Sequence, residues 1–125
     1  MSLLDGILGN SSKIDPTKIQ QEFDQILAFQ EQVEHVYQLV RDYFVFTNKR
    51  LVLVNKQGLT GSKIEYHSIP YKSITHFSVE TSGTLDLDAE LNIWISSTTL
   101  PIQKRFSKKL SIYEVQSVLA SYVLS

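Results

Sequence analysis

The residues best suited to chemistry are three histidines, His35, His67 and His76. A metal pair on one element needs ligands at i, i+2 along a strand or i, i+4 along a helix, and no two of these stand so. They read as surface or half-buried strand residues, and no metal is expected. Asp86, Asp88 and Glu90 alternate, which places them on one face of a strand. Three carboxylates there suit a hard cation such as calcium. The tight-turn glycine and distant bidentate glutamate of a calcium loop are missing, however. A solvated acidic face, or an edge guarded by charge, is the reading that fits. Serines and threonines are plentiful, yet there is no G-x-S-x-G elbow, G-x-G-x-x-G, P-loop or H-E-x-x-H. No cofactor is implied and no enzymatic activity is expected.

Three cationic doublets remain: Lys49-Arg50, Lys104-Arg105 and Lys108-Lys109. Lys49, Arg50, Lys104 and Arg105 are the candidates for holding an anion, such as a lipid headgroup or an acidic protein tail. Their competing reading is a solvated rim.

Trp94 stands out among the apolar residues. In Leu87–Ile95 the odd positions are apolar and should face a core. Trp94 therefore shares the opposite face with Asp88, Glu90 and Asn92. A large aromatic on a polar face is either an interface anchor or is covered by another part of its own chain. The stretch from Tyr43 to Val54 poses the same question. Phe44 and Phe46 face one side, and Tyr43 and Val45 the other. A strand apolar on both faces is covered on both. Trp94, Phe44, Phe46 and Tyr43 are thus the candidate oligomer-interface residues, with an N-terminal helix as the competing cover.

The elements that position these residues follow from the pattern. The chain has 125 residues, enough for one domain with a real core. It has no cysteine, which removes disulfides and thiolate chemistry and makes the cytoplasm the expected compartment. No apolar run reaches the ~18 residues of a membrane-spanning helix. The opening Met1-Ser2-Leu3-Leu4-Asp5 lacks the basic and apolar regions of a signal peptide. Lys plus Arg number 12 against 13 Asp plus Glu, without the basic excess of a nucleic-acid binder, so nucleic acid is not an expected partner.

Asp15-Pro16 starts a helix, because aspartate accepts from free N–H groups and proline fits the first helical position. Ile19, Phe23, Ile26 and Leu27 continue it at helical spacing, which predicts a helix over 16–29. From there the period becomes two. Strands are predicted over 36–40, 43–47, 50–55, 63–69, 73–80, 87–96 and 100–106, with Asn48-Lys49 as a two-residue hairpin turn. Ser111 and Glu114 form a capping box, and Ile112, Val115, Val118, Leu119, Tyr122 and Val123 make one apolar stripe on a final helix. Seven antiparallel strands and a terminal amphipathic helix predict a mainly β fold. The helix is expected to close one end of a seven-stranded barrel.

This order and several separated blocks resemble the bacterial pleckstrin-homology family. The blocks are Thr47–Val54, Ser68–Ile74, Phe77–Glu80, Asp86–Trp94 and Ile112–Val115. The resemblance covers roughly residues 15–125. It implies a pleckstrin-homology-like barrel over 31–125 behind an N-terminal helical extension over 1–30. It also implies a lack of catalysis and a tendency to form ring-like homo-oligomers. It does not imply a phosphoinositide ligand, since the first strand turn, Arg41-Asp42, carries one cation and one anion. The expected function is a non-enzymatic binding or assembly module whose first partner is itself, with another protein as a further partner. Peripheral membrane contact through Leu3, Leu4, Ile7 and Leu8 is the alternative. It is a weak one, because that segment carries Asp5 rather than lysine.

Overall fold

The structure is a computed structural model that describes residues 12–39, 42–57, 63–81, 88–107 and 112–125. They fall into two compact units, those up to Pro70 and those from Tyr71 onward.

The first unit holds β1 (Ser12–Ile14), α1 (Pro16–Phe23), β2 (Val33–Gln38), β3 (Tyr43–Thr47), β4 (Arg50–Gln57) and β5 (Lys63–Pro70). The five strands make one antiparallel sheet in chain order. Asp15 caps α1, its carboxylate accepting from the Thr17 N–H at 3.0 Å, and Pro16 follows at the first position. The β3–β4 register settles the two-faced hairpin. Tyr43 and Val45 lie opposite Val54 and Val52, while Phe44 and Phe46 lie opposite Leu53 and Leu51. On the first face Val36, Val45, Val52 and Val54 form one buried cluster with Ile19 and Phe23 of α1, and Ile14, Ile26, Leu27, Tyr43 and Tyr66 pack around it. The other face carries Tyr37, Phe44 and Phe46, whose rings meet edge to face at 5.4 Å and 6.1 Å.

The second unit begins with a single 3-10 turn, Tyr71–Ser73, and continues with β6 (Ile74–Thr81), β7 (Asp88–Ile95), β8 (Ile102–Ser107) and α2 (Ile112–Val123). Its three strands form an antiparallel sheet in chain order. The helix buries Ile112, Val115 and Leu119, and packs against β6, β7 and the 3-10 turn. Tyr122 stacks on Tyr71 with ring centroids 4.5 Å apart. Leu119 is fully buried. Leu119→Ala should therefore cost about 2–5 kcal/mol, read as a lower denaturant midpoint at unchanged slope.

The structure departs from the sequence reading in three places. The strands fall into two separately hydrogen-bonded sheets rather than one closed seven-stranded ladder. Ser12–Ile14, which lies before the first predicted element, is an additional short strand paired with β2. The first helix ends at Phe23, six residues before the predicted 29. Ile26 and Leu27 keep their places in the apolar cluster because tight turns carry them there, with both N–H groups donating to the Phe23 carbonyl. Helical spacing of apolar residues is met equally by one turn of helix followed by a close bend. The Leu3, Leu4, Ile7, Leu8 segment, Arg41, Asp86, Lys108-Lys109 and Ser111 lie outside the described residues.

Candidate binding surface

The four anion-binding candidates do not converge as two doublets. Lys49 is exposed in the β3–β4 turn. Arg50, one residue on, turns back beneath the connector between α1 and β2. Its Nε donates to Glu31 Oε2 at 2.8 Å and its Nη2 to Glu31 Oε1 at 2.9 Å. Nη2 also donates to the Ile26 carbonyl at 2.6 Å, and Nη1 to Ser68 Oγ at 2.8 Å. Arg50 thus has its guanidinium engaged by its own chain rather than turned to solvent with Lys49. Lys104 and Arg105 are neighbours on β8 and so point to opposite faces. Lys104 is half-buried opposite Leu91, and Arg105 is exposed opposite Glu90. Strand alternation undoes the pairing that adjacency in sequence suggests.

Glu31 lies at the centre of a polar clasp. Its side chain has no solvent exposure. Besides Arg50 it accepts from the Thr47 hydroxyl at 2.6 Å and the Ala28 N–H at 2.7 Å. Burial pushes its carboxyl pKa up, but the bonds from Arg50, Ala28 and Thr47, with the Arg50 charge, outweigh it. The net effect holds the carboxyl below its ordinary range. Asn48 fastens the same connector, donating to the Gln30 carbonyl at 3.1 Å and accepting from the Gln32 N–H at 2.7 Å. Gln30 adopts φ 63°, the left-handed region that favours glycine. Beside it Phe29 is 85% exposed.

The interface candidates also separate. Phe44 and Phe46 are fully buried within the protomer, so they offer no surface to a partner. Tyr43 is half-buried at the edge of the valine cluster, with Lys56 Nζ over its ring at 4.8 Å. The arm carrying α1 packs on this face through Ile19 and Phe23. Of the four, Trp94 keeps a place on a polar face. It is half-buried and lies opposite His76 across the β6–β7 pair, the two rings stacked at 4.4 Å with 14° between their planes. His76 Nδ1 lies 3.0 Å from the Thr75 hydroxyl, which in turn donates to the Trp94 carbonyl at 3.2 Å. Among the described residues the Trp94 indole N–H has no hydrogen-bond partner.

The same face continues along the sheet. Asn92 lies opposite Ser78, and Glu90 opposite Glu80. Asn92 is only 4% exposed, and its Nδ2 donates to Ser78 Oγ at 3.3 Å. Its Oδ1 is buried without any partner. Asn92 and Ser78 are not binding candidates on sequence grounds, and His76 is weighed there only as a metal ligand. The alternation that sets Trp94 with Asn92 and Glu90 was the available signal, but the β6 partners needed the register. His35 and His67 lie half-buried in the first unit, His35 meeting the Phe46 ring edge to face at 6.3 Å. Among the described residues no three potential metal ligands converge.

With this geometry in view, solved structures give the class. A pleckstrin-homology domain from Shewanella amazonensis SB2B superposes with a TM-score of 0.84. It is 47% identical, and the match covers 99% of this chain and all of the other. A pleckstrin-homology protein of the DUF1696 family from Shewanella loihica PV-4 superposes with a TM-score of 0.83 at 46% identity, covering 92% of this chain and 98% of that one. The fold is therefore pleckstrin-homology-like. The family model described as "Bacterial PH domain" matches residues 2–123, and the chain belongs to that family. Two Bacillus subtilis (strain 168) proteins are similar over nearly their whole lengths. The uncharacterized protein YjqA is 55% identical, covering 97% of this chain and 98% of YjqA. The uncharacterized protein YozO is 30% identical, covering 96% and 99%. No helix among the described residues is long and apolar enough to cross a membrane.

Proposed function

We propose that this protein is a non-enzymatic binding and assembly module of the cytoplasm. Its copies associate through the outer face of β6–β8 around Trp94 into a homo-oligomer larger than a dimer. The observation that carries this reading is Trp94 itself, an aromatic standing on a polar sheet face with a stacked imidazole and an unpartnered indole N–H. Covering such a residue between subunits removes on the order of 150–250 Å² of largely apolar surface, which suits an energetic hot spot. A contact that repeats head to tail closes into a ring. The Arg50 clasp and the split of Lys104 from Arg105 weigh against the anion-binding alternative, leaving Lys49 and Arg105 as exposed single cations.

The test is solution mass by light scattering across chain concentrations. Trp94→Ala should lower the mass and leave the far-UV circular dichroism unchanged. A wild-type protein that stays monomeric at high micromolar concentration overturns self-association.

A further inference from the structure

We propose that the outer face of β6–β8 is an acceptor for a guanidinium group, the arginine side chain of an extended partner peptide. The inference rests on reading this face as the protein's binding surface and names the chemistry of what it takes.

Three observations converge along one row of side chains. The first is Glu80, directly opposite Glu90 on the same face. Like charges in directly opposed positions destabilise a strand pair. Among the described residues neither carboxylate is in an ion pair, although Arg105, directly opposite Glu90 on β8, stands on the same face. The second is Asn92, the next residue of the row towards Trp94. A buried amide oxygen with no donor carries a desolvation cost, which a donor supplied from outside would remove. The third is Trp94 itself, whose ring is stacked on one side by His76. Indole is the best of the aromatic side chains for holding a cation.

Successive side chains on one strand face are about 6.5–7 Å apart. A guanidinium seated above Asn92 therefore has the indole at one hand and the two carboxylates at the other. It needs to donate to Asn92 Oδ1, to pair with carboxylate oxygens and to lie flat near an aromatic ring. Arginine does all three, because its five N–H donors lie in one rigid plane. An ammonium is a point charge without a plane to stack. The unpartnered Trp94 indole N–H matches a backbone carbonyl of the incoming chain, which favours an arginine carried by a peptide over the free amino acid. Asn92 Oδ1 is buried in the free chain, so binding requires the side chains over it to move.

Trp94 is the single tryptophan of the chain, so its fluorescence reports this surface alone. The titrant is a blocked pentapeptide with one central arginine between glycines, and the control carries citrulline in its place. Sedimentation velocity on the same samples gives the mass. The arginine peptide should change Trp94 emission saturably. Its apparent Kd should weaken about tenfold with citrulline, and about tenfold in a Glu80→Gln, Glu90→Gln double variant. Raising the salt should weaken binding as well. Where the chain is assembled through this face, the peptide should also lower the sedimenting mass. An unchanged emission and mass, an equal response to citrulline, or a full response in the double variant overturns the proposal. A monomeric chain that binds the arginine peptide overturns self-association alone and leaves this inference standing.

Discussion

Arg50→Met should cost about 3–5 kcal/mol of stability. The expected value lies towards the lower end, because the Arg50 side chain keeps 22% of its exposure while that of Glu31 has none. Removing the guanidinium leaves the Glu31 carboxylate buried and stranded, and also frees the Ile26 carbonyl and the Ser68 hydroxyl. Arg50→Lys should recover only part of the loss, since a single ammonium cannot serve both carboxylate oxygens, Ile26 and Ser68 in a planar fork. Urea unfolding of the two variants beside the wild type checks this, and an Arg50→Met midpoint close to wild type refutes it. The clasp also sets a pH dependence. Glu31 is held below the ordinary glutamate value, so the folded state favours its ionised form. Its contribution is complete above that ordinary value and is lost as pH falls through the lowered folded value. In Glu31→Gln that share of the acid destabilisation should disappear.

Phe23→Ala should cost about 3–5 kcal/mol. Phe23 is fully buried in the valine cluster, and its ring meets Tyr66 edge to face at 5.8 Å. It is the last residue of α1, an eight-residue helix far too short to hold itself in water. Losing the ring therefore weakens the helix, the bends that follow it and the cover over β3 and β4 together. Enhanced binding of an apolar dye and faster proteolysis within residues 12–32 should accompany the lower midpoint. Unchanged protease sensitivity in that segment would show that the arm is fixed by other contacts.

The two-faced hairpin was legible because each of its strands is apolar at consecutive positions, and burial on both sides is the one stable outcome. What covered the second face was not legible. The spacing of Ile19, Phe23, Ile26 and Leu27 announces an apolar stripe, but not which strands receive it. The β1 strand escaped notice because three residues carry too little period to register. The Arg50 clasp was not legible, because a cation after a turn looks exposed. Its carboxylate partner lies 19 residues earlier in an irregular segment, and no local pattern joins the two. Trp94 was placed on the polar face by alternation alone. Its stacking on His76 depended on the β6–β7 register, which shifts between Ile74 and His76 and so could not be counted from a turn.

The order of the chain gives the arm a particular history during synthesis. Phe23 leaves the ribosome before any of the valines it will cover, and Val54 follows 31 residues later, 54 less 23. At ordinary elongation rates that interval is about 2–6 s. A short helix with no sheet beneath it does not persist that long, so the segment waits as an extended chain with its apolar side chains in water. Only when β4 emerges does Arg50 arrive to hold the connector, and the valine row with it. The segment made first is completed by the strands made after it. Until then it is open to chaperones and to neighbouring nascent copies on the same messenger RNA.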